Sequence, residues 1–321
     1  MQLKIFLGCF CTFIILGACK SKPNATVVYD ANNEIMLPIM ANNTEYKVWI
    51  KKVGHGSKHV LMLHGGPGCT SEYFENFPQY IDTNKYSIYF YDQLGSYRSS
   101  HPTDTALWTT ARFVNEVQQV QDGLGLAKIF LLGHSWGGIL GLEYALKYPE
   151  KLQGFIMSNM VASIPKYEAY NVELRKKETK AVIDTLEKYE KIRAFKNKNY
   201  VAEIDKIYKK HICRLPKWPS AVERTFAHLN ETIYMQMQGP NEFTFEGNLT
   251  GWDKWDAMKT LTMPVLTIGA DEDTMNPAEM EAMSKLMKNG SFVLCKNSGH
   301  MAMWDDPKNY FAGLNAFLDA N

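Results

Sequence analysis

The stretch that decides the fold reads Ile129-Phe130-Leu131-Leu132-Gly133-His134-Ser135-Trp136-Gly137-Gly138, and the apolar helical segment 139–146 follows it. A buried strand that runs through a sharp turn into a helix is the setting of a nucleophile elbow, with the serine at the turn. The flanking glycines are needed because the turn strains the serine backbone and crowds its neighbours. The pattern therefore predicts that Ser135 is a nucleophile at a helix N-terminus, which favours developing negative charge.

Short apolar runs alternate with helical stretches on both sides of this turn. Such runs are typical of strands that are buried on both faces of a mostly parallel sheet. The predicted strands are Tyr46–Val53, His59–Leu63, Tyr86–Tyr91, Lys128–Leu132, Gly154–Ser158, Pro264–Ile268 and Ser291–Cys295. The predicted helices are Thr109–Leu124, Gly138–Lys147, Pro277–Lys288 and Pro307–Leu318. This alternation predicts an α/β fold with a doubly wound sheet.

One interval lacks a clear buried strand. Between the strand that ends near Met160 and the strand that opens at Pro264, the chain is helical in character, with Pro216 and Pro219 as breakers. A helical insertion at this point lies over the carboxyl ends of the strands, where ligands bind in such sheets. We therefore assign residues 163–252 to a helical cap, and residues 45–162 and 253–321 to the α/β core.

The composition excludes several classes of protein. Of the 321 residues, 45% are hydrophobic and 12% are aromatic, which is ample for a packed interior. Charged residues make up 21% and the net charge is +1, which argues against a disordered or strongly basic protein. The lysine-rich stretch 175–210 carries Asp and Glu throughout and is interpreted as solvated helix surface. We expect no nucleic-acid partner, because no basic face stands out.

The first residues have the pattern of a secretory signal. Lys4 precedes the apolar run Ile5–Leu16, which ends in Leu-Gly-Ala followed by Cys19. A basic start, a short apolar segment and small residues form a signal peptide, and the run is too short to span a membrane comfortably. The ending resembles the lipobox of bacterial lipoproteins, in which the cysteine becomes the lipidated first residue.

These features predict a signal peptide over residues 1–19, a lipid anchor on Cys19, and a tether and N-terminal segment over residues 20–44. The protein would then be attached to a membrane of the bacterial cell envelope, facing the periplasm or exposed at the surface. An ordinary cleaved signal or an anchoring helix is the alternative.

The remaining cysteines are Cys69, Cys213 and Cys295. Their odd number and wide spacing argue against a disulfide framework, although one disulfide with one free thiol stays open. No C-x-x-C or His-rich spacing indicates zinc, and we expect no metal and no organic cofactor.

An acyl-transfer site needs donors for an oxyanion and a general base. The segment His64-Gly65-Gly66-Pro67-Gly68 follows a predicted strand, where a loop of this type supplies one backbone N–H. We predict the Gly66 and Trp136 N–H groups as the two donors, each typically worth ~3–4 kcal/mol in the barrier. The predicted base is His300, which lies in a loop between the last predicted strand and the last helix.

The acid is expected in the loop after the strand Pro264–Ile268, where Asp271, Glu272 and Asp273 are adjacent. Asp273 is favoured because Pro277, at a helix start, follows it by four residues. Its predicted role is to fix the tautomer of His300 and to stabilise the imidazolium.

Together these motifs resemble those of the proline iminopeptidases (prolyl aminopeptidases), a family of α/β-hydrolases. The motifs that carry the resemblance are His64-Gly65-Gly66-Pro67-Gly68, Tyr91-Asp92-Gln93-Leu94-Gly95, Gly133-His134-Ser135-Trp136-Gly137-Gly138 and Gly299-His300. The resemblance runs from about Tyr46 to the C-terminus. It implies an α/β-hydrolase fold and a serine aminopeptidase that releases an N-terminal residue, proline or a small or apolar one, through an acyl-enzyme.

The segment Gly239-Pro240-Asn241-Glu242-Phe243 resembles a G-P-N-E-F segment of the tricorn-associated members, whose glutamate binds the substrate's free α-amino group. The resemblance implies this substrate-binding role for Glu242. Those relatives carry a second amine-binding glutamate directly after the catalytic acid, where this chain has Thr274. Glu272 or Asp271 would have to compensate, and the departure weakens the case for strict proline specificity.

Two alternatives remain at this point. An amino-acid amidase or an esterase would use the same scaffold, so the expected partner is a small peptide or an amino-acid amide. A peptide-binding lipoprotein with a decayed site is disfavoured, because nucleophile, base, acid and oxyanion loop are all present. The aromatic residues of the cap that are candidates for an apolar substrate pocket are Trp218, Phe226, Tyr234 and Trp252.

Overall fold

The computed structural model describes residues 27–321, so the predicted signal peptide and Cys19 lie outside the described residues. Within this range the chain forms an eight-stranded sheet with the order β1-β2-β4-β3-β5-β6-β7-β8. The strands are β1 (Glu34–Ala41), β2 (Thr44–Val53), β3 (Lys58–Leu63), β4 (Tyr86–Tyr91), β5 (Ile129–His134), β6 (Leu152–Ser158), β7 (Val265–Ala270) and β8 (Gly290–Cys295). Strands β3 to β8 pair in parallel, whereas β1 and β2 add an antiparallel edge.

Helices cover both faces of the sheet. They are α1 (Thr110–Gly123), α2 (Trp136–Lys147), α3 (Ile164–Lys176), α4 (Lys180–Lys191), α5 (Lys198–His211), α6 (Ser220–Ala227), α7 (Glu231–Met237), α8 (Pro277–Leu286), α9 (Ala302–Asp305) and α10 (Pro307–Ala320). The apolar faces of α1, α2 and α8 form one core with the sheet, and those of α9 and α10 form a second core on its other face. The predicted doubly wound, mostly parallel sheet is therefore confirmed. No helix within residues 27–321 is both long and apolar enough to cross a membrane.

The sheet begins earlier in the chain than predicted from the sequence. Strand β1 lies within residues 20–44, which were assigned to a tether and N-terminal segment, and it pairs with β2 from Glu34 to Ala41. Asn42 and Asn43 join the two strands with φ of 47° and 61°, the conformation of a tight hairpin turn. The strand was missed because alternate residues of this edge strand are exposed and Pro38 interrupts its apolar pattern.

Helices α3 to α7 occupy the interval in which the sequence predicts a cap. The two ends of this insertion meet at Ser163 and Asp253, whose side chains hydrogen-bond at 2.7 Å beside an isolated backbone bridge. The insertion has a small apolar core of its own, formed by Leu186, Tyr200, Ile204 and Ile207. It is also tied to the sheet domain, because Arg224 of α6 binds the buried carboxylate of Glu72 at 2.9 Å.

Only Ser135 separates the end of β5 from the start of α2. Its φ of 56° and ψ of −127° are strained for a residue with a side chain, as predicted for the turn. The turn is possible because Gly133 and Gly137 allow backbones to touch. A Cβ on Gly133 would overlap the Gly137 carbonyl, and a Cβ on Gly137 would overlap the Leu63 carbonyl.

We expect Gly137→Ala to lower the free energy of unfolding by about 1–3 kcal/mol, because the Leu63 carbonyl belongs to the central sheet and cannot yield. Gly123→Ala is the matched control. A Cβ there meets only the flexible end of the Leu37 side chain, so the change should stay below about 1 kcal/mol. Urea denaturation measures both, and equal effects of the two substitutions would contradict this account of the turn.

Candidate active site

A cavity of about 790 Å³ lies between the carboxyl ends of the strands and the inserted helices. The sheet domain contributes Ser135 and His300 to its wall, and the insertion contributes Tyr208 and Glu242. Gly66 also lines it. The cavity has the size of a small-molecule site and brings together predicted site residues that lie far apart in the sequence.

His300 is held through almost all of its polar groups. Its backbone N–H donates to the carbonyl of His211 at 2.8 Å, and its own carbonyl oxygen lies 2.9 Å from His134 Nε2. Its ring Nδ1 lies 2.9 Å from Asp273 Oδ1. A carboxylate only accepts, so Nδ1 carries the hydrogen and Nε2 is the acceptor nitrogen of the neutral ring. The imidazole therefore has one defined tautomer and orientation.

The fully buried carboxylate of Asp273 is the acid that the structure brings to His300. Its other oxygen, Oδ2, accepts from the amide of Asn159 at 2.8 Å, and the hydroxyl of Thr274 donates to Oδ1 at 3.2 Å. The two competing carboxylates point elsewhere. Asp271 accepts from the Ser298 N–H at 3.2 Å, and Glu272 lies 3.9 Å from Arg214.

The charges around His300 favour its protonated form. Burial by itself lowers the pKa of this imidazole, but the charge and hydrogen bond of Asp273, together with the charge of Glu242, outweigh burial and raise the pKa above its usual value. The ring is thus prepared to accept a proton although it is buried. An imidazole with a carboxylate at Nδ1 and a raised pKa suits general base chemistry.

The loop that carries Gly66 is fixed by His64 and Gln93. His64 Nδ1 lies 2.9 Å from the Gly65 carbonyl, and its Nε2 accepts from the Gln93 N–H at 3.0 Å. Gln93 in turn donates to the His64 carbonyl at 2.9 Å and accepts from the Trp136 indole at 2.9 Å. The Gly65 N–H is already used, because it donates to the Tyr73 hydroxyl at 2.7 Å. Gly66 follows as the next N–H of the loop.

Three tyrosine hydroxyls surround Glu242. Tyr234 donates to Oε1 at 2.6 Å. The Tyr167 hydroxyl lies 2.7 Å from the Glu242 carbonyl and 2.9 Å from Oε2, so its one hydrogen is shared between them. The Glu242 N–H donates to Tyr208 Oη at 3.3 Å. Burial and the charge of Glu242 raise the pKa values of the Tyr167 and Tyr234 hydroxyls well above the usual value for tyrosine. Both hydroxyls therefore stay protonated and can donate. Within residues 27–321, Glu242 forms no ion pair with a basic side chain. The two basic residues of the cavity wall, Arg193 and Lys196, are paired with Glu246 and Glu231 instead.

Neither of the two residues named from the sequence as a second amine-binding carboxylate lies at the cavity. Neither Asp271 nor Glu272 is among the residues that line the cavity within the described part of the chain. Glu231 does line it, but its carboxylate is paired with Lys196 at 2.8 Å at the exposed rim. Thr274, at the position of the relatives' second glutamate, is buried and donates to Asp273 instead.

Two of the four cap aromatic residues that were candidates for a substrate pocket line the cavity. Phe226 and Tyr234 line the cavity, whereas Trp218 and Trp252 are not among its lining residues. Trp218 packs on Phe226 with ring centroids 5.5 Å apart, and the Trp252 indole donates to Glu143 at 2.8 Å.

The three cysteines that follow residue 26 are all free and buried, so the one disulfide left open by the sequence is not formed. Cys69 lines the cavity, and burial, with a further contribution from the charge of Glu242, raises the pKa of its thiol to about 12. In the part of the chain that the structure describes, no group of His, Cys, Asp and Glu is arranged to hold a metal ion.

Several residues of the site were not predicted from the sequence. Asn159 carries a signal that was available, because it follows β6 directly and polar residues at the carboxyl ends of parallel strands converge on the ligand site. Tyr73 and Tyr167 gave no such signal, because a buried tyrosine cannot be told from a core residue by spacing alone.

Comparison with known proteins decides the family. A family model described as alpha/beta hydrolase fold matches residues 58–307. A proline iminopeptidase of Flavobacterium johnsoniae is 44% identical over 289 residues, which cover 88% of this chain and 97% of the relative. The chain belongs to the proline iminopeptidase family. A further member, from Saccharolobus solfataricus, is 35% identical over 295 residues, covering 88% of this chain and 90% of its own.

Solved structures agree with this membership and confirm the α/β-hydrolase fold. The proline iminopeptidase of Mycobacterium smegmatis superposes with a TM-score of 0.81 at 26% identity, over 89% of this chain and 98% of its own. The protein VinJ superposes with a TM-score of 0.84 at 27% identity, with the same coverage of the two chains.

The electrostatic environment of His300 is directly measurable. Since both carboxylates raise its pKa, Asp273→Asn and Glu242→Gln should each lower the pKa, and Asp273→Asn should lower it more because a hydrogen bond is weakened as well. NMR titration of the imidazole measures both shifts. Glu231→Gln is the control, since that carboxylate is neutralised by Lys196 at the rim, and it should leave the pKa unchanged. An unchanged or raised pKa in Glu242→Gln would contradict the arrangement.

Proposed function

We propose that this member of the proline iminopeptidase family releases the N-terminal residue of small peptides through an acyl-enzyme on Ser135. Ser135 Oγ attacks the carbonyl of the N-terminal residue, and His300 Nε2 takes its proton. The oxyanion accepts hydrogen bonds from the Gly66 and Trp136 N–H groups. His300 then gives the proton to the leaving amine as the C–N bond breaks, and water, activated by the same imidazole, hydrolyses the ester.

Asp273 is proposed to act on the imidazole and not on the substrate. It accepts from His300 Nδ1 at 2.9 Å, which keeps Nε2 free of hydrogen before the attack. It also stabilises the imidazolium that forms once the proton has moved. Asn159 and Thr274 hold the carboxylate in place through hydrogen bonds of 2.8 and 3.2 Å.

One observation favours an aminopeptidase over a general esterase: Glu242 lies in the same cavity as Ser135, and no basic side chain among residues 27–321 is paired with its carboxylate. Two tyrosine hydroxyls hydrogen-bond to the carboxylate, which is partly buried. A substrate ammonium is the missing cation, since a charge-assisted hydrogen bond in such surroundings is stronger than one in water. Recognition of a free amino group fixes the scissile carbonyl one residue from the N-terminus.

The N-terminal residue is proposed to be proline or another small or apolar residue. The relatives at up to 44% identity are named proline iminopeptidases, which supports proline. The cavity wall supplied by Phe226 and Tyr208 suits an apolar ring or side chain. Thr274 leaves Glu242 as the one proposed amine ligand, so the amine is held less rigidly than by two carboxylates, and residues other than proline should be accepted.

Glu242→Gln tests amine recognition. We expect kcat/KM for an aminoacyl peptide to fall about ten- to hundredfold, because a charged hydrogen bond to the ammonium is lost. Hydrolysis of p-nitrophenyl acetate, which has no amine, should change less than about threefold at a pH above the pKa of His300 in both proteins, since the substitution leaves the oxyanion donors in place. Glu231→Gln, the other carboxylate of the cavity wall, should leave both reactions unchanged. Equal losses on peptide and ester would favour the amidase or esterase alternative.

We further propose that the enzyme is a lipoprotein of the bacterial cell envelope, anchored through Cys19. The support is the sequence alone: Lys4, the apolar run Ile5–Leu16 and the small residues before Cys19. Lipidation supplies membrane affinity through its buried CH₂ groups, and stable attachment generally needs two such signals.

Expression of the full chain in a bacterium that processes lipoproteins, followed by detergent phase partition, tests the anchor. The protein should enter the detergent phase, and Cys19→Ser should move it to the aqueous phase. Cys69→Ser is the control, since that thiol is buried in the folded domain. Recovery of the unsubstituted protein in the aqueous phase would refute the lipid anchor.

A further inference from the structure

Two buried side chains that the proposed mechanism does not use lie between the oxyanion loop and His300. Tyr73 belongs to a short turn of 3-10 helix, Ser71–Phe74, and His134 is the last residue of β5. Each is 1% exposed, and their ring centroids are 5.1 Å apart. Burial of a phenol and an imidazole costs free energy unless their polar atoms are hydrogen-bonded. The partners of these hydrogen bonds therefore indicate which groups the two side chains position.

These hydrogen bonds form a continuous hydrogen-bond chain in which the donors and acceptors can be assigned in only one way. The Gly65 N–H donates to Tyr73 Oη at 2.7 Å, so the phenol hydrogen is free to go to His134 Nδ1, 3.0 Å away. His134 Nδ1 then accepts, and Nε2 carries the hydrogen that is donated to the His300 carbonyl at 2.9 Å. The direction is fixed because a backbone N–H stands at one end and a backbone carbonyl at the other.

His134 is unsuited to carry a proton itself. Both of its ring nitrogens form hydrogen bonds within this hydrogen-bond chain. Burial, and next the neighbouring charge of protonated His300, hold the pKa of His134 well below its usual range. It therefore stays neutral while His300, with ring centroids 4.7 Å apart, takes up and returns the proton. Its contribution must be positional.

Both ends of the chain are close to the reacting atoms. Gly65 lies directly against the nucleophile, since a Cβ placed on it would be 3.3 Å from Ser135 Oγ. The peptide that follows carries the Gly66 N–H, one of the two proposed oxyanion donors. At the other end, the tethered carbonyl belongs to His300, whose ring takes the proton from Ser135 in the proposed mechanism.

We propose that Tyr73 and His134 are positioning residues that couple the oxyanion loop to His300 through the continuous hydrogen-bond chain Gly65–Tyr73–His134–His300. This inference rests on the proposed roles of Ser135, Gly66 and His300. The chain holds the oxyanion donor and the general base at a fixed separation on either side of Ser135. A displacement of about 1 Å in such a group can cost about a hundredfold in rate, so loss of either link slows the chemical step.

Tyr73→Phe is the first test, because it removes the hydroxyl and leaves the ring. With p-nitrophenyl acetate, which reports acyl transfer without amine recognition, we expect kcat to fall roughly ten- to hundredfold and KM to change less than about twofold. Tyr144→Phe is the matched control, since its buried hydroxyl donates to Gln121 at 2.6 Å without touching the site. It should lose similar stability and keep its kcat. A kcat within twofold of the unsubstituted enzyme in Tyr73→Phe would overturn the proposal.

A double-mutant cycle tests the coupling itself. His134→Leu breaks the same chain at its second link, so Tyr73→Phe combined with His134→Leu should lower kcat no further than the stronger single substitution. His134→Gln keeps one acceptor and one donor and should recover part of the lost kcat. Multiplicative losses in the double variant would refute the coupling. If His134→Leu does not fold, the comparison of Tyr73→Phe with Tyr144→Phe decides the proposal.

Failure of this inference is distinguishable from failure of the proposed function. Ser135→Ala is assayed alongside with the same ester. If Ser135→Ala is inactive and Tyr73→Phe has normal kcat, the mechanism holds and the coupling is refuted. If Ser135→Ala retains full activity, the proposed nucleophile is wrong and the coupling falls with it.

Discussion

The structure depends on the contact between backbones at the turn from β5 to α2. A glycine on each side of the turn lets the helix start directly against the neighbouring strand, and Ser135 takes up the resulting strain at φ 56°. This places the serine at the carboxyl edge of the sheet, where the loops after β3, β6, β7 and β8 converge. Every other element of the site is arranged relative to that one side chain.

Around this fixed serine, the site is built from polar groups that are nearly all satisfied. His300 is held by Asp273 at its ring and by His211 and His134 at its backbone. The inserted helices contribute one of these bonds through His211, so the cap helps to hold the base as well as covering the cavity. Glu242 is the exception, with hydroxyl partners and no cation within the described residues. In the proposed function, that carboxylate binds the positively charged amino group beside the scissile bond.

Much of this was predictable because the decisive signals are local. The strand, turn and helix around Ser135 and the loop that carries His300 are read from neighbouring residues. Asp273 could be chosen over Asp271 and Glu272 from its distance to the proline of the next helix, and the structure brings it to His300. Glu242 was predicted only from the resemblance to the family's G-P-N-E-F segment. The apolar pattern and residue spacing of a helical insertion would not have singled it out.

The other features of the site and the fold could not be predicted from the sequence. Most of them arise from contacts between segments that lie far apart in the chain. Asn159 meets Asp273 across 114 residues, and Tyr73 meets His134 across 61. Strand β1 was overlooked because an edge strand with alternate residues in solvent has a weak apolar signal. The substitution of Thr274 for a carboxylate was visible in the sequence, but its hydrogen bond to Asp273 was not.

In the proposed function, this serine aminopeptidase selects substrates through a free amino group. The most direct measurement compares aminoacyl-naphthylamides with their N-acetylated forms under identical conditions. The free amines, with the prolyl compound among the best, should be cleaved at least about a hundredfold faster, because acetylation removes a charged hydrogen bond and leaves the Glu242 carboxylate unpaired. Cleavage of the acetylated compounds at comparable rates would contradict the proposed function.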